Sequence, residues 1–436
     1  MNFFQAGYYN FIVKVRILLP RIKRLAQIGI ILSSLFILLG SSNLPPSDKV
    51  ETFRAFTRNI EFDYVTWTLD ALYSKAEQVS LDIPRYLSAP DQKDLVISYM
   101  NLVQLLAQIN YQIETIYADP NTTNAEVETA ALKSERNRVT DTISLVSPLV
   151  EKVVQDQASS IIAGYGLGLE GQPIPPVVYA VTSTPQALII SPRNVIRQDA
   201  DISLRSDLTI EQIIALEQEI ETSHQVSALV IKTGGIGLYP SMITRTTDLN
   251  WMLETICHEW THNFLTLRPL GINYDASPEL RTMNETTANI AGKEISQRIL
   301  ERYYPEFLLE KSLPGSQADL PEEAEKTPVF DFRREMHQTR ITVDEMLANG
   351  IITGAEEYME KRRQLFWENG YQIRRLNQAY FAFHGAYADE PDGAAGMDPV
   401  GPAVQTLRQN SRNLAEFLNR ISWMTSFDQL RVTVGQ

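Results

Sequence analysis

The sequence predicts a mainly helical α+β protein with a small β-sheet, and three observations carry that prediction. From about residue 48 to 162 there is no glycine, and apolar residues recur at helical spacing. Between 171 and 245 that texture gives way to short β-branched runs bounded by Pro, Gly and Ser. Beyond 305 helical periodicity returns, broken by Gly/Pro/Asp-rich stretches. These shifts divide the chain into a basic segment with a linker (1–47), a helical region (48–170), a core containing the sheet (171–305) and a C-terminal helical region that completes a cleft (306–436).

The N-terminal segment places a basic cluster, Arg16 to Arg24, before an uncharged run from Leu25 to Gly40. Sixteen helical residues would span about 24 Å, which reads as a transmembrane anchor or a long signal segment. The basic flank is expected to stay cytoplasmic, sending the rest of the chain across the membrane. The long lead-in favours an anchored protein whose remainder is extracytoplasmic; cleavage near the small residues Gly40 and Ser42 would release it as a secreted one. "SSNLPPS" (Ser41–Ser47) follows as a proline-stiffened linker.

In the helical region, Leu95, Tyr99, Leu102, Leu106, Ile109, Ile113 and Ile116 form one apolar stripe, and Asp119-Pro120-Asn121 ends it. A second stripe runs from about Asn124 to Ile162, so a helical hairpin or small bundle is predicted. In the core, "PPVVYAV", "QALIISP" and "VSALVIK" read as strands, with an amphipathic helix at Leu208–Glu221 between them. "GIGLYPSMI" (Gly235–Ile243) reads as another extended run. Ser277 and Pro278 suit the N-cap and first turn of a further helix. Helices are predicted at roughly 331–348, 354–388 and 403–425, after an exposed acidic loop at 312–329.

The bulk numbers are those of a globular protein of 436 residues, 44% hydrophobic and 21% charged, long enough for two or three cores. The first 50 residues hold six Lys/Arg and one acid, which leaves 33 basic against 52 acidic residues, a charge of −19, in the remainder. A field of that sign repels nucleic acid, so no nucleic-acid partner is expected. Cys257 is the single cysteine, which excludes an intrachain disulfide.

Two of the five histidines stand four apart in "TICHEWTHNF". On a helix His258 and His262 share a face about 6 Å apart, a spacing that lets both imidazoles reach one Zn²⁺. Glu259, beside the first histidine, is placed to reach a metal-bound water rather than the ion. A catalytic zinc needs a third protein ligand. Glu285, in "MNETTANIAGKE", is the preferred candidate, with Glu279 and Glu294 as rivals. Asn289 follows Glu285 by one turn, where it is expected to hold the far nitrogen of a ligand histidine. Ala288 and Gly292, on the same stripe, would let the two helices approach closely.

His-Glu-x-x-His followed by Asn-Glu-x-x-x-Asn on a second helix resembles the gluzincin metallopeptidases. The resemblance covers about residues 228–300 and implies a zincin-like core with one zinc ion bound by His258, His262 and Glu285, and Glu259 as general base. It also implies a substrate-pairing edge strand ahead of the first helix, at Gly235–Ile243, and a downstream Tyr or His that stabilises the oxyanion. The Gly-x-Met-Glu-Asn signature of the aminopeptidase branch is absent, and the ligand spacing is a few residues longer than in those enzymes. Candidates for the downstream donor lie in "YQIRRLNQAYFAFHGAYA": His384 and Tyr380 as catalytic groups, Asn377 and Tyr387 as substrate contacts on the same helical face. The functional expectation is a membrane-anchored zinc peptidase, an aminopeptidase among the options, acting on peptides or proteins. The alternatives are a membrane-tethered scaffold with an inert zincin-like domain and hydrolysis of a non-peptide amide or ester.

Overall fold

The computed structural model describes residues 28–29, 49–81, 83–118, 122, 124–312, 330–389 and 393–435. The chain divides into two compact units, Met1–Thr52 and Phe53–Gln436, and the second holds all the motif residues. Among the described residues no helix is long and apolar enough to cross a membrane. That finding corrects the expectation of a transmembrane helix, and with it the membrane-anchored location. The Leu25–Gly40 run itself, apart from Ile28 and Gly29, lies outside the described residues, as do residues 313–329 of the acidic loop.

The second unit is mainly helical with small sheets. Its first long helices are α1 (Tyr64–Leu81), α2 (Ala89–Ala118) and α3 (Ala130–Gly164). α2 and α3 pack together, as their two apolar stripes demand. Val96, Met100 and Val103 of α2 and Val139, Ile143 and Val150 of α3 enter one core.

Apart from a short antiparallel ladder of Gly168–Leu169 with Gln172–Pro173, the strands are β1 (Tyr179–Thr182), β2 (Gln186–Pro192), β3 (Ala200–Leu204), β4 (Val226–Lys232), β5 (Gly235–Ile236) and β6 (Ser241–Thr244). They form two three-stranded sheets. One runs β3-β2-β4 and is antiparallel throughout; the other runs β1-β6-β5, with β1 parallel and β5 antiparallel to β6. β2 and β4 coincide with two of the apolar runs, and β2 is central and buried over six successive residues. The extended run expected over Gly235–Ile243 is two strands instead, because Pro240 lacks the N–H a continuous ladder needs. Helix α4 (Ile210–His224) opens with a Thr209/Gln212 capping box and packs on β4.

Helices α5 (Leu249–Thr266) and α6 (Pro278–Tyr303) follow, capped by Asp248 and Ser277. They lie so close that a Cβ added at Gly292 would sit 3.0 Å from the Glu254 carbonyl oxygen and 3.2 Å from His258 Cβ. The small residue on α6 therefore sets the separation at which side chains of the two helices can converge.

The C-terminal helices are α7 (Phe332–Ala348), α8 (Ile352–Glu368), α9 (Gln378–His384), α10 (Val400–Gln409), α11 (Leu414–Ile421) and α12 (Phe427–Val434). The helix expected over 354–388 is thus two. Gly370, at φ +88°, stops α8 in a left-handed conformation that glycine tolerates, and Asn377 starts α9 as its N-cap. One core joins α2, α3, α5, α6, α10, α11 and α12, while Met336, Val343, Met359, Phe366 and Phe381 form a second. The divisions at 170 and 305 are therefore not seams in the packing.

Candidate metal centre

α5 presents His258, Glu259 and His262 to a cavity of about 670 Å³, and α6 presents Glu285 to the same space. The two imidazole Nε2 atoms are 2.9 Å apart, and Glu285 Oε2 lies 3.6 Å from His258 Nε2 and 3.5 Å from His262 Nε2. Three atoms so spaced lie on a circle of radius about 1.9 Å, just inside the 2.0–2.2 Å reach of zinc–nitrogen and zinc–oxygen bonds. Glu285 Oε2 is buried and has no hydrogen-bond partner. A buried, unsatisfied carboxylate oxygen is costly unless a cation meets it, so the donor set fits a divalent metal. These three form the metal-capable His/Cys/Asp/Glu group found among the described residues, and Glu259 stands outside it.

Neighbouring residues aim the donors. Asn284 Nδ2 donates to the Leu270 carbonyl at 3.4 Å, which turns its oxygen toward His262 Nδ1 at 2.8 Å. His262 then carries its proton on Nδ1 and leaves the Nε2 lone pair for an ion. Tyr274, from the connection between the helices, donates its hydroxyl to Glu285 Oε1, leaving Oε2 facing the two imidazoles. Arg281 Nε donates in turn to the Tyr274 hydroxyl at 3.3 Å. Asn289 does not hold a histidine as expected: its Nδ2 donates to Asp389 Oδ1 at 2.8 Å. The orienting asparagine is the residue before Glu285, not the one a turn after it. Periodicity placed Asn289 on the face of Glu285, but Asp389 claims its amide from the C-terminal region.

Electrostatics follow from burial and the crowding of like and unlike charges. Burial would raise Glu285, yet the two imidazoles beside it pull it well below the usual carboxylate range. Burial would lower His262, and Glu285 overrides it to hold the ring up at about 9, so below that pH Nε2 also carries a proton, which a bound ion would have to displace. Burial raises Glu259, with the two histidines opposing and Glu285 adding to the rise.

Glu259 is only 6% exposed and has no hydrogen-bond partner among the described residues. It lies under β5: a Cβ at Gly235 would stand 2.4 Å from Glu259 Oε1, and one at Gly237 2.9 Å from His262 Cβ. Glycines at both positions let an edge strand pass directly over the motif helix. No family model, curated protein or solved structure matches this chain.

The downstream candidates separate. Tyr387 and His384 line the cavity, and the Tyr387 ring centroid is 6.4 Å from that of His258. Tyr380 does not line it; its ring packs on His384 at 4.3 Å and against the Ala187, Ile189 and Leu229 cluster. Asn377 caps α9 and donates to the Ala228 carbonyl at 3.0 Å, away from the metal donors. Both assignments, Tyr380 as catalytic and Asn377 as substrate contact, are corrected: α9 lays Tyr380 and Asn377 against β2 and β4, and it ends at His384, so Tyr387 reaches the cavity from the turn beyond it. The residues missed were Tyr274, Arg281 and Asn284. Helical spacing offered Arg281, one turn before Glu285; nothing local marked Tyr274.

Proposed function

We propose that this protein is a zinc-dependent peptidase whose metal is held by His258, His262 and Glu285, with Glu259 as general base. The observation that carries the reading is the pairing of a three-donor cluster sized for one cation with a buried, unpartnered carboxylate beside it. Structural zinc sites are closed by four protein ligands, whereas catalytic ones leave a position for water. Zinc bound there would supply a water of lowered pKa and polarise the scissile carbonyl.

The chain's own residues account for the rest. β5 is the edge of its sheet, and an extended substrate backbone adds to such an edge by main-chain hydrogen bonds. Glu259 accepts the proton of the attacking water and returns it to the leaving amine. Its desolvated position, which favours the neutral acid, suits the second half of that transfer. Tyr387, raised by burial and the nearby Glu285, stays protonated. Its hydroxyl has no protein partner among the described residues, so it is the donor for the developing oxyanion, an interaction worth about 10²–10³ in kcat in comparable sites.

The test is a peptide-mixture digest by purified protein, with cleavage read by mass spectrometry, alongside metal analysis. We expect about one zinc per chain, loss of cleavage with chelator, and a Glu259→Gln variant that keeps the metal and loses at least 10²-fold in rate. Cleavage by that variant at the wild-type rate would remove the general-base assignment.

A further inference from the structure

Arg281 lies on α6 one turn before Glu285, lines the cavity, and is only 7% exposed. Its guanidinium sits 6.0 Å from the ring centroids of both Tyr274 and Phe383. Nε donates to the Tyr274 hydroxyl and one terminal nitrogen to the Ala382 carbonyl, each at 3.3 Å. An arginine carries five N–H donors, so most of this fork is unused by the described residues. Nor does it have an ion-pair partner among them. Arg362, Arg374, Arg375 and Arg408, by contrast, each pair with a glutamate at 2.5–2.6 Å. Asp201 and Glu285 line the same cavity near enough for their charges to act on Arg281, yet neither makes a direct ion pair with it among the described residues.

A guanidinium taken this far out of water is ordinarily matched by a carboxylate. Here two flanking rings and two hydrogen bonds position it, and the residue lines the cavity that holds the three donors. We infer that Arg281 is the anchor for a substrate carboxylate, bound through its planar fork, and that the preferred peptides carry that carboxylate close to the scissile bond. The inference rests on the peptidase reading for its substrate class. A free C-terminus and an acidic side chain share this chemistry, and matched substrates distinguish them.

The experiment compares peptides with a free or amidated C-terminus, and peptides with Asp or Asn next to the cleaved bond. The readout is the ratio of kcat/KM within each pair, which a general loss of activity does not move. Wild type should favour the carboxylate at least tenfold in one pair. Arg281→Gln should bring that ratio to about one, and Arg281→Lys should keep part of it. Calorimetric titration of succinate into the full-chain Glu259→Gln protein should show binding that weakens at least tenfold when Arg281→Gln is added. Ratios near one in both wild-type pairs, or equal succinate binding with and without the guanidinium, would overturn the inference. Arg281-dependent succinate binding in a protein that cleaves no peptide would support the anchor while the peptidase reading falls.

Discussion

Replacing Tyr274 with Phe removes one oxygen atom from the site and leaves its shape intact. That hydroxyl donates to Glu285 Oε1 and accepts from Arg281 Nε. Without it, Oε1 loses its bond and the carboxylate is free to rotate, so Oε2 is no longer held toward the two imidazoles. A hydrogen bond to a charged group contributes about 1.5–3 kcal/mol, and 1.4 kcal/mol is about tenfold in affinity. The expected loss in zinc affinity is therefore about 10- to 100-fold, the range seen when an outer-shell partner of a metal ligand is removed. Competition against a chromophoric chelator measures it directly, with no substrate needed. Tyr387→Phe is the control: its hydroxyl also lines the cavity but bonds no ligand side chain, so zinc affinity should stay within twofold or so of wild type while turnover falls. Wild-type affinity in Tyr274→Phe, or an equal drop in both variants, would refute the assignment of Tyr274 as the residue that orients Glu285.

Two further outcomes follow from the geometry. Gly235→Ala puts a methyl group 2.4 Å from Glu259 Oε1, so the carboxylate must swing or β5 must lift; turnover should fall at least tenfold with the zinc content unchanged, and full activity would show that β5 does not constrain Glu259. His384 is held down to about 4 by burial, against an ordinary value of about 6.5. Its folded value is depressed, so the stability it contributes is present above pH 6.5 and is lost as pH falls toward 4. Because the ring is partly accessible at the cavity wall, the loss is on the order of 1–3 kcal/mol. Denaturant midpoints across that pH range should fall less steeply in His384→Gln, and parallel curves would exclude the effect.

The amino-acid sequence alone determined the local features. Two glycine-free stripes dictate the α2–α3 pair, Ser277 and Pro278 start α6, and the spacing of His258, Glu259 and His262 sets two imidazoles on one face with a carboxylate turned aside. Gly292 foretold the close approach of α5 and α6, since even a methyl group there would press on the backbone and His258 of the facing helix. What the tertiary structure decided is which polar groups meet across elements. Asn284 and Asn289 flank Glu285 and have the same chemistry, but Leu270 and Asp389, distant in sequence, determine that the first aims His262 and the second is tied elsewhere. Likewise the packing of α9 on β2 and β4, and its end at His384, withdraw Tyr380 and Asn377 and leave Tyr387 beside the donors. Helical repeats encode a side chain's direction from its own axis; hydrogen-bond partners are fixed by where other axes pass, and that emerges only when the whole chain has packed.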